Sequence, residues 1–379
     1  MLPTRVTRSM STRAAACTRY AQGIEPQGDP EPERYLCYRA AHAPTIDGRL
    51  DEPSWEKAPW TEYFVDIEGD LKPRPRFKTR AKMLWDDEYF YVAAEMEEPH
   101  LWATVTQRDV PVLANHDFEV FIDPDGDGHE YYEMEMNACN TVWDLLLVKP
   151  YRDLGPLAPL SGDGSVSPAV TAWDIAGLKT AVHLRGTLNQ NDDVDEGWSV
   201  EIAFPWRILR ECAHRPAPPN AGDQWRVNFS RVEHHLEKVG ASYQSRAGMP
   251  VDNWVWSPHQ ILNMHYPELW GYVQFSAKVV GEGKDEVVVH PEEEARRMLY
   301  KIYYSEKGYY REHGRFTDRL EELVVGEPEL SHYRWPPRIQ VTDSLFEVSM
   351  EEKEDFDQDG KKARWHIRQD AKVWKTKHP

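Results

Sequence analysis

Cysteine is scarce in this sequence, which has four cysteines among 379 residues and no C-x-x-C pair. Four thiols are too few for the disulfide framework of a small secreted domain. The lack of C-x-x-C pairs also argues against a structural zinc site built from thiolates. A chain of this length allows two domains, or one large β domain with an appendage. The cysteines are Cys17, Cys37, Cys139 and Cys212.

Positive charge is also in short supply. Lys and Arg number 45 against 64 Asp and Glu, which gives a formal charge of −19. Binding to a phosphate backbone depends on clustered cations, so the sequence predicts no nucleic-acid partner. No apolar run approaches the ~18 residues of a membrane-spanning helix, so the sequence predicts no membrane span.

Aromatic residues, by contrast, are abundant, with 15 Trp and 18 Tyr. Aromatic side chains at this density are typical of β-strands, and of surfaces that stack on flat ligands such as sugar rings. We assign most of them to a large β core.

The N-terminal segment differs from the rest of the chain. Residues 1–24 contain four arginines and frequent Ser and Thr but no acid, and their apolar cluster at 14–17 is too short for a secretory signal. This composition is typical of an organellar targeting leader, and equally of a disordered basic arm. Residues 25–34 are rich in Pro and acid and indicate a linker. We therefore place residues 1–34 outside the fold.

Residues 35–276 have the pattern of many short strands. Segments such as Lys78–Trp85, Tyr89–Met96 and Asp117–Asp123 are rich in β-branched and aromatic residues and are bounded by Asp, Gly and Pro turns. Only Trp206–Glu211 indicates a short helix. Recurring short strands without long helical stretches predict an antiparallel, jelly-roll-like β-sandwich.

The pattern changes in residues 277–379. Pro291 through His313 has helical periodicity, with acids in its first turn and Gly314 after its end. Asp318–Val324 indicates a second short helix after Thr317. One or two hairpins follow between Leu345 and Trp374. This α+β segment is small for a free-standing core, so we expect an appendage docked on the sandwich.

The first candidate for chemistry is a D-x-D-x-D-G sequence formed by Asp123, Asp125, Asp127 and Gly128. Alternating carboxylates at a turn can converge on one hard cation such as Ca²⁺. The spacing does not fit an EF-hand, because loop position twelve is Met134. A solvated Asp-rich hairpin turn remains the alternative.

Four glutamates lie in strand-patterned segments: Glu119, Glu133, Glu135 and Glu201. Strand alternation places Glu133 and Glu135 on one face, together with Asn137. Such carboxylates can accept hydrogen bonds from sugar hydroxyls. They can also form the acid/base pair of a glycosidase, or remain solvated acids on an exposed sheet face.

Five motifs, taken in order, resemble the family 9 carbohydrate-binding modules. They are TIDGRLDEPSWEKAPW (45–60), TRAKMLWDDEYFYVAAEMEEP (79–99), DFEVFIDPDGDGHEYYEMEMNACNTVWD (117–144), GWSVEIAFPW (197–206) and MHYPELWGYVQF (264–275). The resemblance implies a β-sandwich that binds a mono- or oligosaccharide or a polysaccharide end. It also implies structural calcium, secretion, and an association with polysaccharide breakdown.

The resemblance also implies site residues. Glu119 occupies the place of a sugar-contacting Glu in the family. Sugar rings suit aromatic faces together with carboxylate and amide hydrogen bonds, so the candidate sugar-binding set is Glu119, Glu133, Asn137, Trp143 and Asp144. Two sugar-stacking Trp of the family fall near Leu113 and Met264, neither of which is aromatic. Near Glu133 the family carries an Arg. We therefore expect that sugar affinity is weak, or that the sugar site is built from other residues, with Trp143 as the replacement stacking platform.

Two other functions stay open. The paired carboxylates could belong to a glycoside hydrolase, although a binding protein without catalytic residues fits the motifs better. Relatives in the wider sandwich superfamily bind haem b for electron transfer. The possible axial ligands here are Met96, His116, Met264 and His265.

Overall fold

The computed structural model describes residues 25–153, 167–356 and 360–378. They form two compact units. The first, which we call the sandwich unit, comprises residues 30–149 and 167–290. The second, the tail unit, comprises residues 25–29, 150–153 and 291–378. Residues 1–24 lie outside the described part of the chain, so targeting by the leader stays a prediction.

The sandwich unit contains fifteen strands and two short helices. The strands are β1 (Arg34–Arg39), β2 (Val65–Asp66), β3 (Thr79–Trp85), β4 (Tyr89–Glu97), β5 (Asp117–Asp123), β6 (Tyr131–Asn137), β7 (Val142–Leu147), β8 (Ala169–Val170), β9 (Lys179–Arg185), β10 (Gly197–Pro205), β11 (Gln224–Glu233), β12 (Leu236–Val239), β13 (Ser242–Ser245), β14 (Asp252–Val255) and β15 (Gly271–Val279). The helices are α1 (Pro53–Lys57) and α2 (Trp206–Leu209).

Thirteen of these strands form one continuous sheet that surrounds a shared core. The order is β8-β7-β6-β5-β11-β15-β1-β3-β4-β10-β9, and β14 pairs with both β11 and β2. β12 and β13 form a separate hairpin. The predicted mainly β sandwich fold is confirmed.

The sheet is mixed rather than purely antiparallel, and the exception is β1. This strand lies between β15 and β3 and runs parallel to both, with Tyr35 opposite Val273 and Tyr38 opposite Leu84. Neither neighbour is joined to β1 by a hairpin, and the connection to β3 contains α1 and β2. Such crossover connections permit parallel pairing, which tight hairpins do not.

Aromatic side chains from both halves of the sheet meet in the core. The ring of Phe275 on β15 lies 5.8 Å from Phe90 on β4 and 5.5 Å from Trp225 on β11. Trp206 at the start of α2 packs 5.4 Å from Trp225. Each such pair adds about 0.5–1.5 kcal/mol beyond area burial. Many of the abundant aromatic residues therefore serve the fold.

A buried glutamate fixes the turn of the first motif. The Glu201 carboxylate on β10 accepts hydrogen bonds from Asp47 N (2.9 Å), Gly48 N (2.7 Å) and Trp55 Nε1 (2.6 Å). Gly48 has φ +86°, and a Cβ there would lie 2.5 Å from His183 N. Only glycine fits this conformation and this close approach. Glu201 therefore supports the turn, and three donors already occupy its carboxylate.

The tail unit combines one helix with a four-stranded antiparallel sheet. The helix α3 (Glu292–His313) begins after Pro291 and ends at Gly314, which has φ +70°. This confirms the predicted first helix. The strands are β16 (Arg338–Val341), β17 (Phe346–Glu351), β18 (Lys362–Arg368) and β19 (Val373–His378), in that order in the sheet.

Two expectations for the tail need correction. Asp318–Val324 is not a second helix, because only Leu320–Glu322 forms a single 3-10 turn. Leu323 is buried, whereas Val324 is 95% exposed. The strands form a meander of four rather than one or two hairpins, since β16 was not anticipated.

The segment 277–290 belongs to the sandwich unit. β15 continues to Val279, and beyond it Val288 N donates to Gln274 Oε1 at 2.8 Å. Docking of the tail stays a prediction. No helix in the described ranges has the length and hydrophobicity to cross a membrane.

Candidate functional site

An acidic face lies on neighbouring strands β5 and β6. Alternate residues of these strands point into the core, among them Val120 and Met134. The other face carries four carboxylates, which we call the acid cluster: Asp117, Glu119, Glu133 and Glu135. Glu119 and Glu135 are directly opposite in register, and none of the four is more than 5% exposed. The predicted pairing of Glu133 and Glu135 on one face is thus observed.

Only part of the acid cluster has hydrogen-bond donors. Glu135 Oε2 accepts from Val112 N (3.0 Å) and Leu113 N (3.1 Å). Asp117 Oδ1 accepts from Val232 N at 3.0 Å. Asp117 Oδ2 and Glu133 Oε2 are buried without a hydrogen-bond partner. Oxygen atoms with free lone pairs therefore remain within a buried cluster of acids.

Burial raises the pKa of all four carboxyls, and that of Glu119 reaches about 7. Repulsion from Glu119 raises the pKa values of the other three further. One oxygen each of Asp117, Glu119 and Glu135 lies within 4.8 Å of the others. This is the spacing of oxygen ligands that share one hard cation.

The predicted sugar-binding residues do not all come together. Trp143 on β7 lies opposite Glu135 on the same face and is half-buried. Asn137 shares this face, but it is buried and donates to Val105 O at 2.8 Å. Asp144 lies on the opposite face of the sheet, where it pairs with Arg108 Nη2 at 2.6 Å.

A second polar cluster forms where β4 and β11 end. The guanidinium of Arg231 is fully buried, and its Nη2 donates to Glu98 (2.8 Å) and Glu233 (2.9 Å). His116 Nδ1 lies 3.0 Å from Glu233 Oε2. Burial and the charge of Glu233 raise the pKa of Glu98 to about 7. Burial lowers the pKa of His116 to about 4.

This second cluster borders an open pocket of about 240 Å³. Its lining combines Arg guanidinium donors, carboxylate acceptors, imidazoles and one apolar ring. The lining residues are Arg76, Phe77, Glu98, His100, Glu233, His234, His235, Leu236 and Arg246. We did not anticipate this site from the sequence. The signal for it was the run Arg231 to His235, where charged residues and histidines close a buried strand.

The pocket borders one position where the resemblance expects a sugar-stacking Trp. Leu113 O lies 3.0 Å from Nε2 of His234, which lines the pocket. Leu113 is 46% exposed, and Trp102 packs edge-on against His234 with ring centroids 5.5 Å apart. At the other position, Met264 is buried.

The Asp-rich turn between β5 and β6 is compatible with a cation. Asp123 accepts from Gly126 N and Gly128 N, each at 2.9 Å, which folds the loop around its carboxylate. One oxygen each of Asp123, Asp125 and Asp127 lies within 4.8 Å of the others. Three carboxylates at this spacing are a donor set that fits Ca²⁺.

Three of the four residues considered for haem make other contacts in the described part of the chain. Met96 lies in the sandwich core, and His116 contacts Glu233. His265 Nδ1 lies 2.9 Å from the Tyr131 hydroxyl. Among the carboxylates considered for hydrolysis, Glu201 holds the Asp47-Gly48 turn.

The sequence matches a known family over part of its length. Residues 46–147 match the family described as "Carbohydrate family 9 binding domain-like". This confirms the family 9 resemblance. The matched segment includes the helix α1 and the strands β2 to β7.

Among curated proteins, endo-1,4-beta-xylanase C of Paenibacillus barcinonensis is 32% identical over 90 residues. That region is 24% of this chain and 8% of the xylanase, so the chain covers less than a tenth of that enzyme.

Two solved structures with partial similarity are a family 9 carbohydrate-binding module from Caldicellulosiruptor kristjanssonii in complex with cellotriose and in complex with glucose. The first is 17% identical, with a TM-score of 0.40, and covers 68% of this chain and 98% of that one. The second is 16% identical, with a TM-score of 0.41, and covers 66% and 100%.

Proposed function

We propose that this chain, which carries a family 9-like carbohydrate-binding segment, binds a mono- or oligosaccharide in the pocket beside Glu98 and Glu233. The family match over residues 46–147 carries the proposal. The matched segment itself supplies part of the pocket lining, including Phe77, Glu98 and His100.

The chemistry of the lining suits a polyol. Sugar hydroxyls both donate and accept hydrogen bonds, and the pocket offers carboxylate acceptors from Glu98 and Glu233 and guanidinium donors from Arg76 and Arg246. The Phe77 ring can cover the apolar face of a sugar. The volume of about 240 Å³ lies below the ~300–1,000 Å³ of typical small-molecule sites. It favours a single ring or chain end.

We expect weak affinity. Leu113 and Met264 stand where stacking aromatics would be expected, and each lost stack costs on the order of 1 kcal/mol. Losing both would weaken binding roughly tenfold to a hundredfold, because 1.4 kcal/mol is a factor of ten. The alternative sugar surface is the face with Glu119, Glu133 and Trp143, where Trp143 would act as the platform.

Two related proposals accompany this one. An association with polysaccharide breakdown would explain the similarity to part of a xylanase. Calcium at Asp123, Asp125 and Asp127 would stabilise the turn between β5 and β6, since one oxygen of each carboxylate lies close to the others.

The test is a glycan array with the full chain, followed by calorimetry against mono- and disaccharides at millimolar concentration. Arg246→Ala and Glu233→Gln should abolish measurable binding, whereas the exposed Arg311 on α3 offers a matched control as Arg311→Ala. Binding that survives both pocket variants and is lost in Trp143→Ala would move the site to the other face. Binding to no sugar would refute the function.

A further inference from the structure

We propose that Asp117, Glu119 and Glu135 bind a divalent cation inside the sandwich unit. The site is separate from the Asp-rich turn and from the pocket. Its ligands are acid-cluster oxygens that lie within 4.8 Å of one another.

The acid cluster places four carboxylates on one sheet face, each at most 5% exposed. In the described ranges no Lys or Arg forms an ion pair with any of them, and the nearby Arg231 is held by Glu98 and Glu233. Buried charges of one sign are costly unless they are paired, protonated or bound to a metal. When ionised, the cluster therefore carries an excess of negative charge that a bound cation would neutralise.

An unpartnered carboxylate oxygen lies beside the three proposed ligands. Glu133 Oε2 is buried without a hydrogen-bond partner, and Glu133 is close enough for its charge to act on Glu135. Asp117 Oδ2 is also unpartnered. In a completed site, Asp117 Oδ2 would contact the metal, and Glu133 would accept from a metal-bound water.

The spacing of the carboxylate oxygens suits a hard divalent cation. Oxygens at ~2.3–2.6 Å from a common Ca²⁺ are at most about 5 Å apart, and one oxygen each of the three carboxylates lies within 4.8 Å of the others. Carboxylate oxygens without sulfur or imidazole favour Ca²⁺, Mg²⁺ or Mn²⁺ over softer metals. Glu135 is already oriented, because Val112 N and Leu113 N donate to its Oε2 and leave Oε1 for the ion.

The experiment uses the full chain carrying Asp125→Asn, which weakens the separate turn site. After removal of metals, calorimetry with Ca²⁺, Mg²⁺ and Mn²⁺ should show one site with at least one of these ions. Glu119→Gln and Glu135→Gln in this background should each weaken binding by at least about tenfold. The amides preserve shape and remove like charge, so the fold should persist, and circular dichroism checks that it does.

Two results would overturn the proposal. One is no binding of any of the three ions to the Asp125→Asn chain at millimolar concentration. The other is unchanged affinity in both glutamine variants. Should a glutamine variant fail to fold, Trp-sensitised Tb³⁺ luminescence in the Asp125→Asn chain gives an independent readout. The proposal then requires Tb³⁺ emission that excess Ca²⁺ displaces.

Discussion

Removing the Glu201 carboxylate should destabilise the sandwich unit more than removing any surface glutamate. The carboxylate accepts three hydrogen bonds, and Gly48 N and Trp55 Nε1 are buried, whereas Asp47 N is partly exposed. A hydrogen bond to a charged group contributes about 1.5–3 kcal/mol, and a donor left buried without an acceptor adds a desolvation penalty. With water able to replace one of the three, loss of the other two should make Glu201→Ala cost about 3–6 kcal/mol of unfolding free energy.

That cost is large beside a typical total stability of about 5–15 kcal/mol. Glu201→Gln keeps one acceptor oxygen and the side-chain shape, so it should cost less, about 1–3 kcal/mol. The matched control is Glu95→Gln. Glu95 forms an ion pair with Arg80 at 2.6 Å, in which the two side chains are 35% and 29% exposed. Exposed pairs contribute at most about 1 kcal/mol.

Urea unfolding followed by Trp fluorescence and circular dichroism measures these differences. The expected order of destabilisation is Glu95→Gln, then Glu201→Gln, then Glu201→Ala. A Glu201→Ala chain within about 1 kcal/mol of the wild type would refute the reasoning. It would mean that water reaches the Asp47-Gly48 turn and the Trp55 indole in the folded chain.

Four further predictions follow from other parts of the chain. Gly48→Ala should lower the free energy of unfolding by more than the ~1 kcal/mol of an ordinary glycine replacement, because φ is +86° and the new Cβ meets His183 N at 2.5 Å. Urea unfolding measures the difference. The control is Gly222→Ala, where φ is +89° but a Cβ meets nothing within 4 Å. Because burial raises the pKa of Glu98 from 4.5 to about 7, the folded state holds this proton more tightly, and the free energy of unfolding should fall as pH rises between those values. Glu98→Gln should reduce this pH dependence, and equal slopes in both chains would contradict the argument. Calcium at a hundredfold excess over Kd should raise the free energy of unfolding by about 2.7 kcal/mol, or Tm by roughly 5–10 °C. Asp125→Asn should remove part of this gain. Identical melting curves in calcium and in chelator would count against calcium binding. Trypsin should spare Lys278 and Lys284 or release an unstable fragment, whereas cleavage into two separately melting pieces would show that the tail does not dock.

Much of the fold could be predicted because its strands follow simple patterns. Asp117–Asp123 was predicted to the residue, since alternating apolar positions and a following turn mark both ends. The parallel strand β1 and the hairpin β12–β13 were missed. β1 pairs only with strands distant in sequence, so no neighbouring hairpin marks it. Glu237, Lys238 and Val239 of β12 are exposed, so that strand leaves no periodic apolar signal.

The candidate site was harder to predict for a physical reason. Sequence alternation placed Glu133 and Glu135 on one face, but it could not show that the surrounding loops bury them. Asp144 was included in the candidate sugar-binding set, although it follows Trp143 directly on a strand and therefore points to the opposite face. The pocket depends on Glu98 and Glu233, which come from β-segments far apart along the chain and meet only through the buried Arg231.

The parallel position of β1 has a consequence for biosynthesis. β1 is the first strand of the sandwich unit to leave the ribosome, and β15, with which Arg34–Cys37 pairs, is the last. Until Gly271–Val279 has emerged, β1 lacks this neighbour, and Gln224–Val227 of β11 lacks the same one. Unpaired strand edges are templates for wrong pairing, and such long-range contacts form slowly. A nascent chain therefore exposes the open edge of β1 during nearly the whole synthesis of this unit and that of β11 from its own emergence onward, and a single late strand closes both.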